Sequence, residues 1–203
     1  AGDSWNFFTC TYNSLDTALK SAGVQNASVQ PTCAVTTRLG IRAEEWLASS
    51  FHKATLAALM DKSVKVLYLS LGGNDLINAW NKNLSLEQEQ QILEKIKSDL
   101  TQIIGIYQKA RPDIKILLTC YDFPRFTPNH PIEAYRKAYE NMGNPSPLEV
   151  NTAMIHFSQS MATLMDNKSV FYIQHNGFMQ YYFGNSAENL APYTTLKPEL
   201  ISS

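Results

Sequence analysis

Val64-Lys65-Val66-Leu67-Tyr68-Leu69-Ser70-Leu71-Gly72-Gly73-Asn74-Asp75 is a nearly unbroken apolar run closed by two glycines, an amide and an acid. Short runs of this composition are strands buried on both faces, the pattern of a parallel sheet. In open parallel sheets, functional groups collect just past the carboxyl ends of the strands. Asn74 and Asp75 fall at that place. Ile114-Lys115-Ile116-Leu117-Leu118-Thr119 repeats the pattern, and Val170-Phe171-Tyr172-Ile173 is a shorter version.

The stretches between these runs read as helices. Leu84 to Ala110 carries Ile92, Ile96, Leu100, Ile103 and Tyr107 at spacings of three or four, which is one helical face. Ser85 and Gln88 have the spacing of a capping box, and Arg111-Pro112 closes the pattern. Ser146-Pro147-Leu148-Glu149 opens a second helix, with proline at the first helical position. Val150, Met154, Phe157, Met161 and Leu164 form its apolar side. Ser14 to Ala22 suits a short helix, and Arg42 to Met60 a longer one. Ala27-Ser28-Val29-Gln30 suits a short strand stopped by Pro31. Tyr121 to Asn144, with three prolines and many aromatics, is expected to be a long ordered loop forming a wall or lid. Strands alternating with helices imply right-handed crossovers and a parallel sheet covered on both sides. The expected fold is an α/β three-layer sandwich.

The bulk numbers narrow the functional classes. The 203 residues suit one domain, and 44% hydrophobic residues allow a full core. A net charge of −1 does not suggest a nucleic-acid partner. No apolar run approaches the ~20 residues of a transmembrane helix. Three cysteines give no disulfide framework. One bridge, Cys10 to Cys33, is compatible with their loop-like settings, and the alternative is three reduced thiols. The histidines are dispersed and no Cys-x-x-Cys occurs, so no metal site is expected. Gly72-Gly73 lacks the spacing of a dinucleotide fingerprint, and no cofactor is expected.

Ala1-Gly2-Asp3-Ser4-Trp5 is weak when read alone. A turn former, an acid and a hydroxyl suit a surface loop or a helix cap. Beside the run at 64–75 it gains meaning. Gly2-Asp3-Ser4-Trp5 resembles the first block of the SGNH hydrolases, the GDSL esterase/lipase family, with Trp where that motif has Leu. Gly72-Gly73-Asn74-Asp75 resembles the family's Gly-x-Asn-Asp block. Leu39-Gly40-Ile41-Arg42 lies between them and resembles the block that supplies a glycine.

The resemblance implies a flavodoxin-like strand order and a serine esterase. It makes Ser4 the nucleophile. The Gly40 N–H, the Asn74 side-chain amide and the Ser4 N–H become the oxyanion donors that acyl transfer requires. The substrate would be a carboxylic ester: an acyl lipid, an acetylated sugar or a thioester. Asp3 and Asp75 are expected to hold turns through side-chain to backbone bonds.

The family's histidine comes from an Asp-x-x-His segment, and none of His52, His130, His156 and His175 is preceded by aspartate at that spacing. His175 follows the last strand, on the edge where a parallel-sheet site lies, and is the candidate base within these residues. The sequence is therefore expected to be one SGNH-like domain over 1–203, incomplete at both ends, with the base beyond Ser203. Phe123, Phe126, Phe178 and Tyr181 are the expected substrate walls, from aromatic content near strand ends. Two alternatives stand: a catalytically inactive relative that binds a ligand, and an unrelated flavodoxin-like binder of a cofactor or phosphate. A secreted or periplasmic location is compatible with the sequence, and the oligomeric state is open.

Overall fold

The computed structural model describes residues 1–29 and 32–178. The elements run in this order: α1 (Ser4–Thr11), α2 (Ser14–Ser21), α3 (Cys33–Thr36), α4 (Ala43–Trp46), α5 (Ser50–Leu59), β1 (Val66–Ser70), α6 (Gly73–Ala79), α7 (Leu86–Ala110), β2 (Lys115–Thr119), α8 (Glu133–Asn141), α9 (Pro147–Ala162) and β3 (Val170–Ile173).

The three strands are parallel in the order β1-β2-β3, with Val66 opposite Lys115 and Ile116 opposite Val170. Two single-residue bridges extend the sheet. Gly2 pairs in parallel with both Thr37 and Ser70. Its neighbours complete a short ladder: Gly2 N–H donates to Thr36 O, Arg38 N–H to Gly2 O, and Asp3 N–H to Ser70 O, at 2.9–3.0 Å. The spatial order is thus Thr37, Gly2, β1, β2, β3. The chain steps one way from Gly2 to Thr37, then reverses across Gly2 to β1. That is the flavodoxin-like order, with its switch point beside Gly2.

Right-handed crossovers then decide the layers. The helices that return the chain to β1, β2 and β3, including α5, α7 and α9, run one way across the sheet and share a face. The crossover from Gly2 to Thr37 runs the other way and carries α1 and α2 to the opposite face. Leu67, Leu69, Ile116 and Leu118 are buried together, and Ile96, Leu100, Ile103, Tyr107 and Phe157 complete their core. Fully burying such a side chain is worth ~1.5–3 kcal/mol, so this one face anchors the long helices.

Local signals set most boundaries. Ser85 and Gln88 form the capping box of α7, and Ser146 and Glu149 that of α9 with Pro147 at its start. The helix expected over 42–60 is two helices, because Ser49 caps α5 through a bond from His52 N–H. The stretch 121–144 is not all loop, since α8 lies within it. Residues 27–29 form no strand; the pairing residue is Thr37 instead. His52 is buried beside Tyr107. Cys10 is disulfide-bonded, whereas Cys120 is a free, buried thiol. The side chain of Cys33 lies outside the described residues.

Candidate active site

The switch point gathers the chain's polar motifs. Gly2 lies so close to β1 that a Cβ there would sit 2.0 Å from Ser70 O. The residue after it, Asp3, is the N-cap of α1: Oδ1 accepts from Trp5 N–H at 3.2 Å. Ser4 is therefore the first residue of the helix, and the capping role belongs to its neighbour. Among the described residues no hydrogen bond is made by the Ser4 N–H, as expected of a first-turn amide.

Gly40 follows the Thr37 bridge by three residues, as Ser4 follows Gly2 by two. Parallel pairing sends both to the same edge of the sheet. Gly40 has φ of +74°, a left-handed conformation that glycine adopts without penalty. Its N–H also has no hydrogen bond among the described residues.

The third motif ties itself to the second. Asn74 Nδ2 donates to Ile41 O at 3.0 Å. Asp75 accepts from Ala43 N–H at 2.7 Å and Glu44 N–H at 3.4 Å. Adjacent residues at the start of α6 thus fix the segment that carries Gly40. An amide nitrogen has two hydrogens, so one on Asn74 is left over. Asp3 and Asp75 both bond backbone N–H groups, as the sequence suggests. Burial pushes the Asp75 carboxyl up to about 6, against its two backbone donors.

Behind the switch point lies a second buried acid. Asp3 is wholly buried, and Oδ1 also accepts from Ser70 Oγ at 2.9 Å. Oδ2 is buried without a well-formed hydrogen bond, and so is the Tyr121 hydroxyl. The two are close enough to perturb each other. Burial pushes Asp3 up to about 7, with the Tyr121 hydroxyl the largest opposing influence. Burial and the Asp3 charge both push Tyr121 up, and the Ser4 side chain opposes them.

His175 stands at the carboxyl end of β3. Its Nδ1 lies 3.0 Å from Thr119 Oγ1, and its ring lies 6.5 Å from that of Trp5. Burial lowers its pKa. The turn it opens is fastened by Asn176 Nδ2 to Tyr121 O and by Gly177 N–H to Asp122 Oδ1. Among the described residues neither a carboxylate nor Ser4 is hydrogen-bonded to His175. The other histidines lie elsewhere. His52 bonds Tyr107, His156 pairs with Glu89 at 2.5 Å, and His130 meets Tyr135 edge to face.

Of the expected substrate walls, Phe123 and Phe126 are buried in the core. Phe178 is 48% exposed, with its ring 5.7 Å from His175. Tyr181 lies outside the described residues. Three groups at this edge escape the sequence reading: Trp5, Thr119 and Tyr121. The positional rule that marks Asn74, a polar residue just past a buried strand, applies equally to Tyr121.

Comparison with known proteins adds little. No family model matches the sequence, and no curated protein does. Among solved structures, an extracellular lipase from Streptomyces rimosus is similar, with a TM-score of 0.48 and 15% identity over 82% of this chain and 70% of that one. At that score the likeness is too slight to bear on the reaction.

Proposed function

We propose that this chain is a serine hydrolase of the SGNH type acting on carboxylic esters, such as an acyl lipid, an acetylated sugar or a thioester. The observation that carries the reading is the convergence at Gly2. One residue bridges Thr37 on one side and Ser70 on the other, so the segments bearing Ser4, Gly40 and Asn74 end at one edge.

Ser4 Oγ attacks the ester carbonyl, and the carbonyl oxygen becomes an oxyanion. The N–H groups of Ser4 and Gly40 and the spare Asn74 hydrogen are the donors for that charge. Donors held in place beforehand need no reorganisation as charge develops. A histidine takes the serine proton and returns it to the leaving alcohol. His175 is the described histidine at this edge, and its neutral form, favoured by burial, is the form that accepts a proton.

The test is covalent labelling with a fluorophosphonate, which reacts with activated serines. Ser4 should be labelled, and Ser4→Ala should abolish both labelling and ester turnover, a loss on the order of 10⁴–10⁶. Labelling that persists in the alanine variant would sink the assignment.

A second reading is a catalytically inactive relative that binds an ester or glycan. It is favoured by the bonding of His175 to Thr119, in place of a carboxylate or Ser4 among the described residues. Ligand binding without turnover or labelling would support it.

A further inference from the structure

The buried polar groups at the switch point are not used up by capping and oxyanion binding. Asp3 Oδ2 and the Tyr121 hydroxyl are orphaned together, although native interiors leave few such groups. Their positions are closely defined. The Tyr121 ring lies against Gly73, where an added Cβ would come within 2.7 Å of it. On the other side it meets Trp5, with ring centroids 5.8 Å apart. Gly73 and Trp5 are the immediate neighbours of Asn74 and Ser4. The ring is thus clamped between the nucleophile's helix and the amide's helix. Asp3 is held in turn by Ser70 Oγ and Trp5 N–H.

We propose that Tyr121 is a positioning residue for Ser4, its hydroxyl linking the serine side chain to the buried carboxyl of Asp3. The proposal rests on the serine-hydrolase reading above. In the linked arrangement the serine O–H donates to the tyrosine oxygen, and the tyrosine O–H donates to Asp3 Oδ2. Both orphans are then satisfied, and Ser4 Oγ is restricted in rotamer before substrate arrives. The influence of Tyr121 on the ionisation of Asp3, and of Asp3 and Ser4 on that of Tyr121, is in keeping with that contact. Tyr121 itself transfers no proton to substrate. Burial holds its hydroxyl far above the range of a base at neutral pH.

A residue that positions the nucleophile acts on turnover rather than on substrate affinity. Misplacement of a reacting group by an ångström costs up to about 10²-fold.

The experiment uses a small chromogenic ester, p-nitrophenyl butyrate, and the fluorophosphonate probe on the parent protein and on Tyr121→Phe. The expected result is a kcat lower by about 10–100-fold, a KM within about twofold, slower labelling of Ser4 and a protein still folded at the assay temperature. In an Asp3→Asn background the same substitution should have a much smaller effect, because the link is already broken. Labelled Ser4 with an unchanged kcat in Tyr121→Phe overturns the role of Tyr121 and leaves the esterase reading standing. A lower melting temperature that accounts for the lost activity as unfolded protein does the same. Failure to label Ser4 in the parent protein overturns both.

Discussion

Two buried polar clusters in this molecule make an instructive pair. In the core, Trp46 Nε1 donates to the Tyr107 hydroxyl at 2.6 Å, and that hydroxyl lies 3.1 Å from His52 Nδ1. At the switch point, Asp3 and Tyr121 are equally buried, yet each retains an unpartnered oxygen. The core cluster is closed. The indole can only donate, so the tyrosine oxygen accepts from it, and the hydroxyl also pairs with the imidazole. Burial lowers the His52 pKa, which favours a neutral ring. The edge cluster is open, and it lies against Ser4. A closed network rigidifies a core, whereas an open one leaves free energy unspent at a place where chemistry is proposed.

The largest expected effect separates the clusters by pH. The folded-state pKa of Asp3 is raised by burial to about 7, so the folded protein holds its proton more tightly than the unfolded chain does. Its contribution to stability is complete below about pH 4 and is lost as pH rises towards 7, by up to about 4 kcal/mol. Asp75 works in the same direction. Urea midpoints of the parent and Asp3→Asn should therefore diverge between pH 4 and 8, with the parent losing stability relative to the variant as pH rises. Parallel midpoints across that range would mean that Asp3 is satisfied in solution, and the contrast would collapse.

Next in size is Asn74→Ala, which tests whether the edge is organised for a transition state. Loss of one oxyanion donor lowers kcat ~10²–10³-fold, with KM little changed. A raised KM at constant kcat would put Asn74 in substrate binding. The variant also loses the bond to Ile41 O, so its melting curve should be recorded alongside.

The smallest effect is Tyr107→Phe. It strands the Trp46 indole N–H and His52 Nδ1, at a cost of about 1–3 kcal/mol in unfolding free energy and none in kcat. Denaturation and turnover of the same preparation check both halves. A stability-neutral Tyr107→Phe would show that a closed geometry is not what distinguishes the core cluster.

Much of this was legible in the chain itself. The two capping boxes at Ser85 and Ser146 begin α7 and α9 as read, because a cap is a contact between residues three apart. The apolar runs become β1, β2 and β3, because strands covered by helices are rich in apolar residues. Asp3 and Asp75 bond backbone N–H groups as their residue type suggests. The break between α4 and α5 was missed, since Ala-rich composition argues for a continuous helix and only the Ser49 cap argues against it. The helix α8 was hidden by the prolines and polar residues around it, and none of its residues is buried.

Local composition and short-range spacing determined the elements, the α/β class and the motifs that carry Ser4, Gly40 and Asn74. Only the tertiary structure decided what meets across the sheet. Gly2 bridging Thr37 and Ser70, the bond from Asn74 to Ile41, and the Tyr121 ring seated on Gly73 join residues separated by 33 to 68 positions in the chain. Such contacts leave no periodicity to read. They depend on which strands lie side by side, and strand order is set by crossover handedness and by the burial of a shared face.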